Sequence, residues 1–401
     1  MNQNTIFFKI SLCLVIITCS WGVQAQAQTT EEYIFTTVKE LPITPVQNQS
    51  RTSTCWSFAS LSFLESELIR TGKGSHHLSQ MFIVWHTWLA KADKYIRTDG
   101  NINFFPGGGF EDFIYVIKNY GVVPYEAMTG LNYWEEIHVH NEFDAVLKGY
   151  VDPLLKNPNG KLSTAWKNGF KGILDAYLGA VPQKFSYQGK EYTPKSFASS
   201  LNLNLDDYIP LTSFTHQPFY SKFALEIPDN WMWTQFYNLP LNEFMTIFDH
   251  AINAGYTVLW ASDVSEAGYT RKGIAVVPDV DVTQMSGSDQ ARWLGLSNAA
   301  RNAEIVKIAE SPCTEKVITP EMRQIGYDNK QTTDDHAMHI FGIAKDQNGK
   351  KFYMVKNSWG EASGYKGIWY ASEAYAAYKT MCIMVHKNAI PTEIRKKLNI
   401  L

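Results

Sequence analysis

The spacing of apolar side chains predicts helices through the first two thirds of the chain. From Cys55 to Ile69, apolar residues recur at steps of three and four positions, and Gly72 ends the pattern. Four later stretches show a similar helical character. Helices are therefore predicted over 55–69, 79–94, 111–119, 166–178 and 241–253. Residues 28–54 contain many threonines and two prolines, and they are predicted to be extended loop.

Strand patterns dominate the last third of the chain. Residues 336–344 and 351–356 are apolar runs on either side of a turn at 346–349, which predicts a hairpin. A second hairpin is predicted over 185–192, and further strands over 256–261, 367–370 and 383–386. Helices early and strands late predict an α+β fold in which a helical lobe and a β-rich lobe meet at a cleft. The helical lobe is placed at about 50–130, a mixed insertion at about 131–250, the β-rich lobe at about 251–390 and a C-terminal segment at 388–401.

The N-terminus has the pattern of a secretory signal peptide over residues 1–27. A lysine precedes an apolar run at 10–19, and small residues follow, with cleavage expected after Ala25 or Ala27. The run is too short to span a bilayer, so no stable membrane span is expected after cleavage. The protein is therefore expected to be exported, to the periplasm or outside the cell. A lipid anchor on Cys19 is the alternative, although the residues before it match that motif poorly.

Composition and charge exclude some classes of partner. The chain has 401 residues, of which 45% are hydrophobic, and this is enough for a large buried core. Its 36 basic and 39 acidic residues give a net charge of -3. Because this balance creates no strong field, neither nucleic acid nor an acidic membrane is expected as a partner.

The five cysteines indicate at least one free thiol. Cys13 and Cys19 would leave with the signal peptide, so the mature chain keeps Cys55, Cys313 and Cys382. An odd number in an exported protein leaves one cysteine unpaired. Cys313 and Cys382 form either a disulfide or two separate buried thiols. Three cysteines at these spacings do not make a metal site, and no metal is expected.

Cys55 is the candidate nucleophile. A thiol attacks as the thiolate, and its ordinary pKa of about 8.5 leaves little thiolate at neutral pH. Cys55 opens a predicted helix, whose positive end favours an anion, and a partner imidazolium would also lower the thiol pKa. The alternative is a buried and inert cysteine, which is the common state of lone cysteines. The neighbours Gln49 and Trp56, with histidine and asparagine motifs far downstream, favour the nucleophile.

Three polar residues complete the candidate catalytic site. Among ten histidines, His336 opens its predicted strand at an edge that faces a cleft, whereas His339 would point to the opposite face and pack. Asn357 ends the returning strand, where its side-chain carbonyl can hold the imidazole and fix its tautomer. Gln49 can donate its amide N–H to a developing oxyanion, together with the backbone N–H of Cys55.

Substrate binding is assigned to Gly107, Gly108 and Trp359. The two glycines would let a substrate backbone approach closely enough for strand-like hydrogen bonds. The alternative for them is an ordinary glycine turn. Trp359 lies in an Asn-Ser-Trp-Gly tetrapeptide, which taken alone would be a turn with a packed tryptophan.

These motifs resemble the papain-like cysteine peptidases, peptidase family C1, in the branch of bleomycin hydrolase and bacterial aminopeptidase C. The matching segments are Pro45-Val-x-Asn-Gln49 to Cys55-Trp56, Leu78-Ser79-Gln80, Gly107-Gly108-x-Phe110, 189–197 with 205–208, 254–264, His336-Ala337-Met338 and 357–360. By this resemblance Cys55 is the nucleophile and His336 the base. Asn357 orients the imidazole, and Gln49 stabilises the oxyanion.

The resemblance implies an activity and an assembly. It implies that the mature chain, 28–401, is one papain-like peptidase domain that acts on peptides as an aminopeptidase. It also implies a ring-shaped homohexamer with the sites facing an inner chamber, and no metal or organic cofactor. The expected chemistry is peptide hydrolysis through a thiolate acyl-enzyme. A catalytically silent binding protein on the same fold is a further alternative, and the complete set of site residues argues against it.

This chain departs from the family pattern in three respects. Thr52-Ser53-Thr54 precede the nucleophile without the usual glycine two places before it, and the chain is expected to be exported. In the family, a C-terminal tail enters the cleft and its carboxylate pairs with the substrate's free amine. Here residues 388–401 have a helix-like pattern, so that tail is expected to be absent or very short. A broader dipeptidyl peptidase or endopeptidase activity is therefore the alternative to an aminopeptidase.

Overall fold

The computed structural model of the chain describes residues 31–280, 285 and 287–400. The predicted signal peptide 1–27, including Cys19, lies outside these residues. From Glu32 onward, the described residues form one compact unit around a large sheet. No helix in this part of the chain is both long enough and apolar enough to cross a membrane.

All five predicted helices are present, with their ends shifted by a few residues. The α-helices of the described residues are Cys55–Arg70 (α1), Gln80–Arg97 (α2), Glu111–Tyr120 (α3), Asn141–Val151 (α4), Ala165–Leu178 (α5), Pro194–Leu201 (α6), Leu241–Asn253 (α7), Gly287–Gly295 (α8), Asn298–Ala309 (α9), Pro320–Asp328 (α10), Glu373–Lys379 (α11) and Thr392–Lys397 (α12). Ser79 caps α2, because its hydroxyl accepts a hydrogen bond of 3.1 Å from the backbone N–H of Phe82.

One sheet carries most of the strands. The strands are Thr36–Glu40 (β1), Phe185–Tyr187 (β2), Lys190–Tyr192 (β3), Tyr208–Thr212 (β4), Lys222–Ala224 (β5), Gln235–Asn238 (β6), Val258–Ser262 (β7), Ile274–Ala275 (β8), His336–Lys345 (β9), Lys351–Lys356 (β10), Ile368–Ser372 (β11) and Thr380–His386 (β12). Their order in the main sheet is β5-β6-β4-β12-β7-β9-β10-β11-β8, and β2 and β3 form the separate predicted hairpin. Three strands of the predicted insertion, β4 to β6, belong to this main sheet.

Strand β1 corrects the prediction of loop for residues 28–54. β7 pairs with residues 336–340 of β9, and β1 pairs with residues 342–345, while β10 pairs along the other edge. All five residues of β1 are exposed. Because backbone pairing rather than side-chain burial holds this strand, its sequence carries no apolar alternation that could have predicted it.

Helix α1 lies in the core and packs against β9. Its residues from Trp56 to Leu68 are all buried, including two glutamates. The Glu65 carboxylate accepts hydrogen bonds from the backbone N–H of Leu78, at 2.9 Å, and from the hydroxyl of Thr44. Buried charges keep their place only with such partners. The position of Cys55 at the start of α1 is therefore fixed by a helix that is enclosed along nearly its whole length.

The C-terminal segment packs on the sheet and on α7. Ile390, Ile394 and Leu398 are buried in the same hydrophobic cluster as several α7 side chains. Lys397 adds an ion pair of 2.6 Å with Glu243 of α7. The prediction that residues 388–401 are helix-like is confirmed for α12.

Candidate active site

Cys55 is the first residue of α1 and lies in a cavity between helix and sheet. Thr54 precedes it in a non-helical conformation and its side chain caps no backbone N–H. The backbone N–H groups of Ala337 and Trp56 act to lower the pKa of the Cys55 thiol. His336 lines the same cavity. The structure therefore brings the predicted nucleophile and the predicted base together from opposite ends of the chain.

The side chains of His336 and Asn357 are hydrogen-bonded across the β9–β10 hairpin. His336 Nε2 lies 2.7 Å from Asn357 Oδ1. The same Oδ1 accepts the backbone N–H of Ser358 at 2.7 Å, and Asn357 Nδ2 donates to the hydroxyl of Tyr269 at 3.0 Å. These contacts identify Oδ1 as an acceptor, so the imidazole proton lies on Nε2. Nδ1 is then the nitrogen that can accept a proton from Cys55.

Trp359 covers the imidazole. Its ring centroid lies 4.8 Å from that of His336. Trp369 and Tyr269 pack edge-on against the same indole, at 5.4 and 6.0 Å. The indole therefore shields the bond between His336 and Asn357 from water, which strengthens it. Its predicted role in substrate binding stays a prediction.

Gln49 is held by the turn that carries Asn357. The hydroxyl of Ser358 donates to Gln49 Oε1 at 2.6 Å, and the backbone N–H of Gln49 donates to the carbonyl of Ser358 at 2.8 Å. Because the carbonyl end of the buried amide is occupied, its NH₂ group is the end that is left to donate. This is the orientation that an oxyanion donor requires.

The pKa values of the thiol and the imidazole differ from the sequence-based expectation. Burial raises the pKa of the Cys55 thiol to about 12, and the fields of Asp229 and Asp334 add to this shift. Burial also lowers the pKa of His336 to about 4, although its hydrogen bond to Asn357 acts in the opposite direction. The predicted lowering of the thiol pKa is therefore wrong for the substrate-free site, because loss of solvent outweighs the helix terminus. Between these values the thiol keeps its proton and the imidazole is neutral.

The loop between α2 and α3 that contains Gly107 and Gly108, called the glycine loop, is closely packed at both of these residues. A side chain on Gly108 would collide with Asp112 and Trp56, and one on Gly107 would collide with the carboxylate of Asp229. Gly108 lines the Cys55 cavity, whereas Gly107 lies behind Asp229. Only glycine fits at these two points of close approach. Their predicted contact with substrate stays a prediction.

A buried lysine holds the glycine loop. Lys91 Nζ donates to the backbone carbonyls of Phe105, at 2.8 Å, and of Gly107. It also faces the buried carboxyl groups of Asp112 and Asp229. Asp112 in turn accepts the indole N–H of Trp231, at 3.0 Å, and the backbone N–H of Gly109, at 3.1 Å. Hydrogen bonds and charges of these buried side chains therefore hold the glycine loop in place beside Cys55.

Sequence reasoning missed two carboxyl groups of the cavity, Asp229 and Asp334. Asp334 could have been noticed, because it lies two residues before His336. Asp229 follows β5 in the predicted insertion, and no local pattern connects it with the site. Cys382 also lines the cavity.

The remaining thiols are free, and the described residues hold no metal cluster. Cys55, Cys313 and Cys382 are all unpaired, so the two alternatives for Cys313 and Cys382 resolve as separate thiols. Across residues 31–280 and 287–400, no group of three or more histidine, cysteine or acidic side chains could hold a metal ion. A larger groove beside Cys313 does not contain Cys55.

Comparison with known proteins places this chain among peptidases. The Peptidase C1-like family matches residues 182–400, which is more than half of the chain. Aminopeptidase C of Streptococcus thermophilus is 24% identical over 419 residues, covering 92% of this chain and 85% of that protein. Aminopeptidase C of Listeria monocytogenes is 22% identical over 402 residues, covering 90% and 84%.

A solved structure supports the same placement at the level of the fold. The crystal structure of PepW from Lactobacillus rhamnosis HN001 is similar with a TM-score of 0.67 and 22% identity, covering 91% of this chain and 84% of that one. The two-lobe papain-like α+β fold predicted from the sequence is therefore confirmed. The chain belongs to the Peptidase C1-like family of papain-like cysteine peptidases, in the branch of aminopeptidase C and bleomycin hydrolase, and it is a cysteine-type peptidase.

Proposed function

We propose that this protein is an exported aminopeptidase that removes N-terminal residues from peptides through an acyl-enzyme on Cys55. The observation that carries the proposal is the bond of 2.7 Å between His336 and Asn357 beside the cavity that holds Cys55. It leaves Nδ1 of the imidazole as a proton acceptor for the thiol. The relatives named aminopeptidase C support the substrate class.

The first half of the proposed mechanism forms a thioester. His336 Nδ1 accepts the thiol proton as Cys55 Sγ attacks the scissile carbonyl carbon, so the nucleophile is activated by its neighbouring base. The oxyanion receives hydrogen bonds from the Gln49 side chain and the Cys55 backbone N–H. The tetrahedral intermediate collapses, His336 donates its proton to the leaving amine, and the acyl group stays on Sγ.

The second half hydrolyses the thioester. His336 takes a proton from water, and the resulting hydroxide attacks the thioester carbon. The same donors stabilise the second oxyanion. Collapse releases the carboxylic acid product and returns the proton from His336 to Sγ. Asn357 keeps the imidazole in one tautomer and orientation through both halves.

A specific observation favours the alternative of a dipeptidyl peptidase or endopeptidase. Residues 388–400 pack on the sheet and on α7, and none of them lines the cavity at Cys55. The described part of the C-terminal segment therefore contributes no residue to the cavity wall. Comparing one fluorogenic peptide with a free and with an acetylated N-terminus decides between the two. Equal cleavage of both forms would exclude a strict aminopeptidase.

The nucleophile is tested by comparing two variants that each lack one thiol. Cys55→Ala is expected to abolish cleavage of the free peptide, while Cys313→Ala keeps the parent rate because Cys313 lies outside the cavity. A Cys55→Ala protein as active as the parent would contradict the proposal. Activity that disappears in both variants would point to damage from thiol loss in general.

Export and assembly are part of the same proposal. The support for export is the sequence pattern of residues 1–27. N-terminal sequencing of the protein after expression with its leader is expected to begin at Gln26 or Gln28, and a chain that keeps Met1 would contradict export. A homohexamer is proposed from the family resemblance. Sedimentation at several concentrations tests it, and a stable monomer would contradict it.

A further inference from the structure

We infer that Asp229 and Asp334 bind the positively charged amino group of the substrate and so select peptides with a free N-terminus. This inference rests on the proposed aminopeptidase function. It assigns to two residues of the cavity wall the discrimination between free and blocked peptides.

Both carboxyl groups lie in the cavity of the nucleophile. Asp229 follows β5, and Asp334 lies two residues before His336, so different parts of the chain bring them to the same wall. Apolar side chains form much of the remaining wall, including Phe110, Ile227 and Phe236. Carboxylates in such surroundings have a strong field, because little water is present to screen them.

Asp334 has an unused acceptor. Its Oδ2 atom is buried and has no hydrogen-bond partner. Burial and the neighbouring charge of Asp229 both raise its pKa well above the usual range. A buried carboxyl oxygen without a partner is unfavourable, and it marks a site that a donor group of a ligand can complete. An ammonium group, with three N–H donors, is such a ligand.

The protein provides few hydrogen bonds and little positive charge to the carboxyl group of Asp229. Asn103 donates to one of its oxygens at 3.3 Å. Lys91 is the cation that faces it, but Lys91 also faces Asp112 and donates to two loop carbonyls. Lys91 also faces Asp144, so a single lysine faces three carboxyl groups before Asp334 is counted. Burial raises the pKa of Asp229 as it does that of Asp334, and a cation entering the cavity would favour the ionised form of both groups.

The third carboxyl group of this wall is already satisfied. Asp335 accepts hydrogen bonds from the Thr333 hydroxyl at 2.7 Å and from the backbone N–H groups of Val264 and Ser265 at 3.2 and 3.1 Å. Both of its oxygens are therefore already engaged. The carboxyl oxygens that can accept hydrogen bonds from a ligand in this cavity are therefore those of Asp229 and Asp334.

The position of the pair favours the α-amino group over a basic side chain. In a bound aminopeptidase substrate, the α-nitrogen is separated from the attacked carbonyl carbon by a single carbon atom. A lysine side chain places its ammonium group several bonds further away. Both carboxyl groups line the same cavity as Cys55, which places them near the point of attack. The short reach of the α-ammonium fits this arrangement.

The experiment compares Asp229→Asn and Asp334→Asn with the parent enzyme. The substrates are alanyl-aminomethylcoumarin, its N-acetyl form, and acetyl-lysyl-aminomethylcoumarin, whose charge lies only on the side chain. Each variant is expected to lose about a hundredfold in kcat/KM on the free alanyl substrate, because an enclosed charge pair is removed. The two blocked substrates are expected to change little, so the preference for a free N-terminus falls.

Two controls keep the outcome interpretable. Asp249→Asn neutralises a half-buried carboxyl group of α7 that does not line the cavity, and it is expected to keep the parent preference. The rate at which neutral iodoacetamide labels Cys55 reports on the folded site, and it is not expected to fall in either variant. A variant that loses this labelling has lost the site structure, and the other single variant then decides.

The possible failures are distinguishable. If the parent enzyme cleaves free and acetylated substrates equally, the aminopeptidase proposal itself fails, and the inference fails with it. If the parent prefers the free substrate and both variants keep that preference, the inference alone is overturned. A loss confined to the acetyl-lysyl substrate would show that the pair binds basic side chains instead, which also overturns it.

Discussion

The hydroxyl of Ser358 donates a hydrogen bond of 2.6 Å to Oε1 of Gln49. This contact joins the loop before α1 to the turn after β10, next to the residue that holds His336. The orientation of the proposed oxyanion donor therefore depends on the same turn that orients the proposed base. Ser358 therefore connects the proposed oxyanion donor Gln49 with the turn that holds the proposed base His336.

Replacing Ser358 with alanine is expected to lower kcat about tenfold, because Gln49 loses one hydrogen bond that orients its amide. Gln49→Ala removes the donor itself, and its kcat is expected to fall by about a hundredfold or more. The double variant should be no worse than Gln49→Ala alone, since the serine acts through the glutamine. Steady-state kinetics on a free peptide measures all three. Additive losses would contradict the proposed dependence.

Gly108→Ala is expected to reduce both stability and activity. The added methyl group meets Asp112 and Trp56, and overpacking of this kind costs about 1–3 kcal/mol. Trp56 follows the nucleophile, so kcat/KM should fall as well. Gly172→Ala is the matched control, because Gly172 is exposed in the interior of α5 and a methyl group there meets nothing.

The control is expected to raise the free energy of unfolding by about 0.5–1 kcal/mol, the usual gain of alanine over glycine in a helix. Thermal unfolding and kcat/KM measured on both variants check the pair. If Gly108→Ala proved as stable and active as Gly172→Ala, the close packing of the loop beside Cys55 would be disproved.

Two buried neutral histidines, His138 and His140, are expected to contribute a loss of stability in acid. Burial lowers the pKa of His138 to about 4 and that of His140 to about 3, and neither ring nitrogen of His140 has a partner. Since the unfolded chain binds these protons at about pH 6.5, stability falls as the pH decreases from there towards the folded pKa values. Each histidine contributes a slope of about 1.4 kcal/mol per pH unit within that window.

In His140→Phe, the contribution of one histidine to the pH dependence of the free energy of unfolding is expected to disappear. Denaturant unfolding between pH 7 and pH 4 measures the difference between variant and parent. Buried carboxyl groups with raised pKa values, such as Glu65 and Asp112, change stability in the opposite direction, so the test is the difference between variant and parent. Equal slopes for parent and variant would show that other groups cause the acid dependence.

The positions of the proposed catalytic residues could be predicted where a local sequence pattern defines the element that carries them. Cys55 at a helix start, His336 at a strand start and Asn357 at a hairpin end could be placed because periodicity defines those elements. The structure brings them together as the motif implies. The direction of the thiol pKa could not be predicted, because it depends on burial, and burial results from residues far apart in the chain.

Other features left no local signal. Strand β1 is exposed along its length and is held by pairing with β9. Asp229 reaches the cavity only through the arrangement of β4 to β6 in the sheet. Glu65 lies on the apolar face of α1, and its hydrogen-bond partners Leu78 and Thr44 come from other parts of the chain. Such contacts are properties of the tertiary structure.

The proposal that Cys55 forms a covalent acyl-enzyme is tested most directly by trapping that intermediate. The enzyme is mixed with a slowly hydrolysed ester of a free amino acid, quenched with acid within one turnover, and analysed by intact mass and peptide mapping. The account predicts one added acyl group, located on Cys55, and none in Cys55→Ala or in a protein labelled beforehand with iodoacetamide. Turnover of the same ester by Cys55→Ala at the parent rate, with no adduct on the parent enzyme, would contradict it.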